Sequence, residues 1–166
     1  GRFSIGLTQI RRWLKDQEQY SLHKPLVRKF PRLQVRVTGL HDQYDADLAD
    51  MQKLERRNDH YRFLLVVIDV FSRFMWVEPL KTKSDAAIID GFRRIFARGK
   101  KPRRLRTDRG SEFTGNKTQA FFDQEQIQHW TAHNDELKAH FAERAIRTLK
   151  TYLWRFMREQ GVYRYI

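Results

Sequence analysis

Two apolar segments separated by only three residues limit what this chain can fold into. The first is Tyr61–Val70 (YRFLLVVIDV) and the second is Phe74–Leu80 (FMWVEPL). Both are rich in β-branched and aromatic residues, and two such segments joined by a tight connection are typical of a β-hairpin. We therefore expect an antiparallel pair of strands inside the fold.

The hairpin belongs to a series of strands and helices. Asp42–Met51 precedes it as a further strand-like stretch. Helical spacing of apolar residues follows over 84–98, where Ser84 is suited to cap the helix and Gly99 to end it. The remaining pattern predicts a strand at 102–107, a helix at 117–124, a strand at 127–131 and a long last helix. This order predicts an α/β fold: a mixed five-stranded sheet flanked by helices.

Residues 1–38 have a different composition. They carry nine Arg and Lys residues against Asp16 and Glu18, and two prolines interrupt any long helix. Apolar residues at helical spacing, from Ile5 to Leu14, predict a short helix there. A solvated linker is the alternative interpretation of such a charge run. We expect a basic N-terminal arm over 1–38 and one core domain over 39–166.

The charge of the chain indicates its partner. The 166 residues include 33 Lys and Arg, the formal net charge is +13 and the isoelectric point is about 10.3. Such a balance favours nucleic acid over a membrane surface, and no apolar run reaches the length of a membrane span. The absence of cysteine excludes disulfides and thiolate zinc sites. A soluble protein with a polyanionic partner is expected.

Three acids stand where a metal-dependent site could form. Asp108 follows a strand and opens the turn TDRGSEF, and Asp47 lies in the strand-like stretch before the hairpin. Glu143 lies in the last helix, beside an apolar stripe. Carboxylates gathered from distant elements are how proteins hold the metal ions used in phosphoryl transfer. The stripe comprises Ala142, Ile146, Leu149, Leu153 and Phe156.

Other interpretations of these acids remain open. Asp42, Asp45 and Asp50 compete with Asp47 for the first position, and Glu112 and Glu136 are alternatives for the other two. Glu143 could also form a surface ion pair with Arg147, four residues further along the helix.

Two further residue types invite functional interpretation. His129, His133 and His140 are spread over different elements of a chain without cysteine, so we expect surface or DNA-facing positions rather than zinc ligation. Asp69 ends the first hairpin strand, where an aspartate typically fixes a turn.

In combination, four segments resemble the catalytic core of retroviral-type integrases. They are DLADM, LLVVIDVFSRFMWVEPLKTKS, TDRGSEF and NDELKAHFAERAIRTLK, and 34 residues separate Asp108 from Glu143. The chain is most similar to the integrases of Maverick/Polinton transposons, and Trp13–Pro31 resembles the segment that precedes their core. The resemblance implies a ribonuclease-H-like fold. It also implies that residues 163–166 lie inside the family core, so that the core is truncated at its C-terminus.

The same resemblance assigns chemistry to the acids. Asp47, Asp108 and Glu143 would be the catalytic and metal-binding residues, with Asp47 bridging two Mg²⁺ or Mn²⁺ ions. The implied activity is that of a DDE-type polynucleotidyl transferase, which processes the 3′ ends of element DNA and transfers them into target DNA. We expect phosphate contacts from Lys138, Arg147, Lys150 and Arg109.

The resemblance also implies where the protein acts. It would bind double-stranded DNA in the nucleus as a homodimer or higher oligomer, without a membrane partner. Two alternatives remain: an integrase-derived protein that binds DNA without cutting it, and a ribonuclease-H-like nuclease.

Overall fold

The computed structural model describes residues 6–17, 35–131 and 140–166. The chain divides into two compact units, Gly1–Arg32 and Leu33–Ile166. In the first unit, helix α1 (Leu7–Lys15) follows Gly6, whose N–H donates to Oε1 of Gln9 at 3.2 Å. A short helix is thus present where the apolar spacing predicts one.

The second unit contains the predicted sheet. Within the described residues five strands form it in the order β3-β2-β1-β4-β5. β2 pairs with both β1 and β3 in antiparallel fashion. β4 pairs with both β1 and β5 in parallel. The mixed five-stranded α/β fold is therefore confirmed. The elements follow as β1 (Gln43–Asp50), a 3-10 helix (Gln52–Arg57), β2 (Phe63–Asp69), β3 (Met75–Leu80), α2 (Asp85–Arg98), β4 (Arg104–Thr107), α3 (Ser111–Thr114), α4 (Asn116–Gln124), β5 (Gln128–Thr131) and α5 (His140–Gln160).

The hairpin of β2 and β3 forms as its sequence predicts. Asp69 fixes the turn, because its Oδ1 accepts the N–H of Phe71 at 2.8 Å and its own N–H donates to the carbonyl of Phe74 at 2.9 Å. Arg73 completes the reversal with a φ of 66°, in the left-handed region. The assignment of Asp69 to a turn is confirmed.

One face of the sheet packs against α2 and α4. The buried side chains of alternate residues, Tyr44 and Ala46 on β1 with Leu65 and Val67 on β2, point to this face. A cluster of phenylalanines from the helices covers them, in which the rings of Phe92 and Phe122 meet edge to face with centroids 5.2 Å apart. Ser84 caps α2 as expected, since its Oγ accepts the N–H of Ala87 at 3.4 Å.

The opposite face packs against α5. Its apolar stripe contacts the side chains of Ala49, Met51, Leu64 and Val66. The stripe contains Ala142, Ile146, Leu149 and Leu153 as predicted.

At its last position the predicted stripe is wrong. Phe156 is 51% exposed, whereas Met157 is 1% exposed. At about 100° per residue these two side chains leave the helix on different sides, and Met157 lies on the side nearer to Glu143 and Trp154.

None of the helices in the described residues is long and apolar enough to span a membrane.

A single buried amide ties the end of the chain to the 3-10 helix. The Nδ2 group of Asn58 donates to the carbonyls of Leu54 at 2.8 Å and Tyr163 at 3.0 Å. Its Oδ1 accepts the N–H of Tyr165 at 2.7 Å. Asn58 therefore satisfies backbone groups of both segments at once. The sequence patterns predicted neither this 3-10 helix nor the short helix α3.

Replacing Asn58 by alanine should destabilise the protein by about 2–3 kcal/mol, because three hydrogen bonds of this buried side chain are lost and their partly buried backbone partners are left unsatisfied. The measurement is urea unfolding followed by circular dichroism. Asp59→Ala is the matched control, since its ion pair with Arg164 is exposed and should contribute less than about 1 kcal/mol. Equal losses for the two variants would contradict the role given to Asn58.

Candidate active site

One predicted acid, Asp47, lies in β1, and a second, Asp108, directly follows the neighbouring parallel strand β4. The register of β1 and β4 pairs Asp45 with Arg106. Parallel strands run in the same direction, so extending this register by two residues places Asp47 beside Asp108, at the carboxyl end of β4. Residues 61 positions apart in the chain are thereby brought together by strand pairing.

Glu143 approaches the same strands from the helix. It lies in the first turn of α5, immediately after Ala142, which is fully buried against Ile68 of β2. This packing directs the start of α5 to the sheet face on which the β1 acids lie. Glu143 itself is exposed.

The pKa of Asp47 is affected by the charges of the other acids. The pKa of Asp47 is raised to about 6, with burial as the largest cause and a hydrogen bond from the Leu48 N–H at 2.7 Å acting against it. The negative charges of Asp108, Glu143 and Glu112 contribute to the same rise, in that order. Glu112 is thus a fourth acid in the field of Asp47, beside the predicted three. A half-buried carboxyl near other carboxylates is stabilised in its charged form by a nearby cation.

The oxygen atoms of these acids are suitable ligands for a hard cation, although they do not converge on one point. All are carboxylate oxygens, which Mg²⁺ and Mn²⁺ prefer. Within the described ranges, however, no group of three or more acidic or histidine side chains lies close enough to hold one ion. The number and position of bound ions stay a prediction.

Asp42 and Asp50, two competitors of Asp47, have structural roles. Asp42 accepts the N–H of Thr38 at 2.8 Å, which holds the pKa of Asp42 below its usual value, and also pairs with Arg104 at 2.9 Å. Asp50 ends β1 and accepts the N–H and Nε2 of Gln52 at 2.9 and 3.2 Å. Both carboxylates are therefore engaged in backbone capping.

The third competitor, Asp45, forms a buried ion pair that the sequence analysis missed. Its side chain is 0% exposed and that of Arg106 is 1% exposed. Arg106 binds it through two bonds, Nε to Oδ1 at 2.9 Å and Nη2 to Oδ2 at 2.5 Å. Gln43 adds a third bond to Oδ1 at 3.2 Å, and the Trp130 ring lies 5.4 Å from the guanidinium carbon. The sequence does contain a sign of this pair, because the oppositely charged Asp45 and Arg106 each stand two residues before Asp47 and Asp108.

A second network orients the backbone of Asp108. Nε2 of Gln119 can only donate, so Nδ1 of His129 accepts from it at 2.8 Å, and the protonated Nε2 of His129 donates to Oγ1 of Thr107 at 2.9 Å. Thr107 in turn donates to the carbonyl oxygen of Asp108 at 2.8 Å. Burial lowers the pKa of His129 to about 4, which keeps it neutral.

This network corrects the expectation that His129 is a surface or DNA-facing residue. It is held between Thr107, Gln119 and the ring of Phe122, whose centroid lies 4.9 Å from that of His129. The prediction failed because the neighbours come from two other elements, β4 and α4. His133 lies outside the described residues, as does the side chain of His140.

The side chain of Asp108 is fixed by its own turn. The N–H of Gly110 donates to Oδ1 of Asp108 at 3.1 Å. A Cβ at Gly110 would lie only 2.7 Å from the carboxyl carbon of Glu112, so glycine keeps the turn compact beside that acid. The TDRGSEF segment thus presents Asp108 at the strand end as predicted.

The expected DNA contacts are distributed around these acids. Arg147 is exposed one helical turn after Glu143, and Lys150 is half-buried one turn further. In the part of the chain that the structure describes, no ion pair joins Glu143 to Arg147. The surface-pair interpretation of Glu143 therefore loses its support. Arg109 is exposed beside Asp108, whereas Lys138 and Glu136 lie outside the described residues.

Arg106→Met should destabilise the protein by about 3–5 kcal/mol, because it leaves the Asp45 carboxylate buried without its cation. The double variant Asp45→Leu, Arg106→Met should recover at least about 2 kcal/mol of that loss. Urea unfolding measures both, with Arg93→Met as control, since its pair with Asp90 is exposed. A loss below about 1 kcal/mol for Arg106→Met would refute the buried pair.

Asp47→Asn should stabilise the metal-free protein, and only at higher pH. The pKa of Asp47 is above its unfolded value of about 3.8, so the stability contributed by its protonated form is complete below pH 3.8 and lost as pH rises through 6. In EDTA the variant should match the wild type at pH 4 and exceed it by about 1–2 kcal/mol at pH 8. Urea titrations at both pH values test this, and a variant no more stable than the wild type at pH 8 would contradict it.

The chain is similar in sequence to known proteins. An uncharacterized transposon-derived protein of Caenorhabditis elegans is 31% identical over 117 residues, covering 70% of this chain and 41% of that protein. The Pol-related polyprotein of mouse intracisternal A-particle MIA14 is 36% identical over 100 residues, covering 59% of this chain and 11% of that protein. The chain therefore spans less than half the length of either relative.

Solved structures share the fold. The HTLV-2 integrase catalytic core domain in complex with magnesium, in its trimeric form, has a TM-score of 0.58 at 22% identity, covering 72% of this chain and 73% of that one. The simian T-cell lymphotropic virus intasome in complex with PP2A regulatory subunit B56 gamma has a TM-score of 0.70 at 19% identity, covering 95% and 56%. The expected ribonuclease-H-like architecture is thus confirmed. Residues 45–134, more than half of the chain, match the integrase core domain, and the protein belongs to that family.

Proposed function

We propose that this chain is the catalytic core of a DDE-type polynucleotidyl transferase that processes the 3′ ends of element DNA and joins them to target DNA. The observation that carries the proposal is that Asp47, in β1, lies within the electrostatic field of both Asp108, which directly follows the parallel strand β4, and Glu143. Family membership supports the reaction class, and the raised pKa of Asp47 supports a role in binding cations.

Asp47, Asp108 and Glu143 would hold two Mg²⁺ or Mn²⁺ ions. When bound, such ions activate the attacking oxygen and stabilise the leaving oxygen of a phosphodiester. The protein contributes position: strand pairing sets Asp108 beside Asp47, the Gly110 N–H orients its carboxylate, and the packing of α5 brings in Glu143. The freed 3′ hydroxyl of the DNA would act as second nucleophile, so no protein side chain needs to be modified.

Cationic side chains around the acids would hold the DNA. Arg109 follows Asp108, and Arg147 and Lys150 continue the stripe of α5 that begins with Glu143. In our proposal these residues, together with Lys138, contact phosphates and set the register of the duplex. Such contacts position DNA without reading its sequence, and their binding weakens steeply with salt.

The biological setting is part of the proposal. The transposon-derived relative supports an origin in a mobile element, for which we propose the Maverick/Polinton type. Insertion into chromosomal DNA would place the protein in the nucleus. The dimeric and trimeric forms and the intasome of the structural relatives support assembly as a homodimer or higher oligomer.

A DNA-binding protein that does not cut is the second candidate. It is favoured by the separation of the acids, since no three of the described acidic or histidine side chains converge on one point. On this alternative the basic surface persists and the carboxylates have no catalytic task.

Strand transfer into a plasmid, measured with a duplex oligonucleotide in Mn²⁺, distinguishes the two candidates. Asp108→Asn should lower the rate at least about 100-fold, because ion binding supplies several kcal/mol of transition-state stabilisation. Asp90→Asn, an exposed acid on α2, is the control and should retain wild-type activity. Equal joining by wild type and Asp108→Asn would sink the catalytic proposal.

Two additional readouts separate the remaining possibilities. Mn²⁺ should raise the melting temperature of the wild type at pH 8 and leave that of Asp108→Asn nearly unchanged, whether or not the protein joins DNA. An RNA–DNA hybrid offered beside the DNA duplex tests the ribonuclease alternative. Faster cleavage of the hybrid would count against an integrase.

A further inference from the structure

A groove of about 550 Å³ lies between the 3-10 helix and α5, apart from the three acids. It begins at Asp50, three residues beyond Asp47 on the same strand, and its other wall is formed by Lys150 and Trp154. The groove therefore starts next to the candidate active site and extends along α5 away from it.

The walls of the groove combine positive charge with an aromatic surface. Lys53 and Lys150 line it, and the indole of Trp154 is 46% exposed there. Asp50 is the acid among the lining residues, and both of its oxygens accept hydrogen bonds from Gln52. The net charge of the lining is therefore positive, with the acid already engaged.

The 3-10 helix also borders a second depression that is lined by basic side chains and an aromatic ring. This depression has a volume of about 360 Å³ and is lined by Lys53, Arg56, Arg57 and Tyr163. Glu55 also lines it and is itself paired with Arg62 at 2.5 Å. The guanidinium of Arg57 lies 5.1 Å from the ring centroid of Tyr163, and that ring meets Trp154 edge to face at 6.4 Å. Two half-exposed aromatic rings are thus fixed among cations.

The position of Trp154 relates the groove to the catalytic helix stripe. Glu143, Arg147, Lys150 and Trp154 follow spacings of four, three and four residues, so they lie along one side of α5. At 1.5 Å per residue, the stripe runs roughly 16 Å from the acid to the indole, or about five nucleotides of duplex rise. A DNA strand held at the acids can therefore reach the groove.

We propose that this groove binds an unpaired nucleotide of a DNA strand that passes through the active site, with its base stacked on Trp154 and its phosphates on Lys150 and Lys53. Stacking surfaces among cations suit single strands, because bases inside a duplex cover one another's faces. The inference rests on the proposed function, since it requires DNA at the acids. Packing of a second subunit on Trp154 is the competing occupant.

The test compares three DNA molecules of equal duplex length: blunt, with a five-nucleotide single-stranded extension, and with the same extension made abasic. Binding to the 166-residue chain is measured by fluorescence anisotropy in EDTA at one fixed salt concentration. Without a metal ion no joining occurs, so the outcome is independent of whether the protein is catalytic.

Trp154→Ala should weaken binding of the extended DNA by about five- to a hundredfold, the usual contribution of one base stacked on an aromatic ring. Binding of blunt DNA should change less than about twofold. Trp154→Phe should retain most of the preference for the extension, and the abasic extension should remove that preference from the wild type. Tyr152→Ala is the matched control, because Tyr152 is 64% exposed on the same helix and does not line the groove.

Equal loss on blunt and extended DNA, or the same loss in Tyr152→Ala, would overturn the proposal. A wild type that binds extended and blunt DNA equally would also overturn it. Sedimentation velocity identifies the competing occupant: dissociation of an oligomer by Trp154→Ala, with the extension preference unchanged, would assign the groove to a second subunit instead. Failure of strand transfer alongside the expected binding pattern would refute the catalytic proposal and leave the groove assignment standing.

Discussion

The parallel pairing of β1 with β4, joined by the ion pair of Asp45 and Arg106, determines where the acidic site can form. In a sheet, a slip of one residue would turn every side chain of the strand to the other face. Asp47 would then point toward the phenylalanine core, away from α5. The ion pair lies two residues before the acids on both strands, so it opposes such a slip at the place where the site depends on it.

Burying two charges is a costly way to join strands. The desolvation of both ions offsets most of their attraction, and an apolar pair of similar volume often stabilises a protein equally well. What Asp45 and Arg106 add is selectivity, because a shifted register would leave each charge buried without its partner. The bidentate geometry and the third bond from Gln43 narrow the acceptable arrangement further. We therefore interpret the pair as a register device for the neighbouring acids.

The sequence predicts those features of the fold and the site whose signals lie within a single segment of the chain. The hairpin, the capped helix α2 and the long helix α5 follow from apolar period and end signals within single segments. The three acids were assigned by resemblance, and strand pairing brings Asp47 and Asp108 together. The burial of Arg106 was not predicted and the position of His129 was predicted wrongly, because the partners of both residues come from other elements. A charged residue or a histidine in a strand carries no local sign that it is buried.

The side on which α5 packs links its apolar stripe to the groove. Ala142, Ile146, Leu149 and Leu153 anchor most of the helix along one line. At its end Met157 is buried in place of Phe156, so contact shifts toward the stripe that carries Glu143 and Trp154. Lys150 and Trp154 face the 3-10 helix across the groove, and Asn58 holds Tyr163 beside the same helix.

The result is a helix whose rotation is set at both ends. Ala142 fixes the direction of Glu143 at one end, and Met157 fixes that of Trp154 at the other. A change in either anchor would turn all the polar side chains of the stripe together, because they share one rigid backbone. The acid of the candidate active site and the aromatic wall of the groove are therefore positioned by the same packing interface.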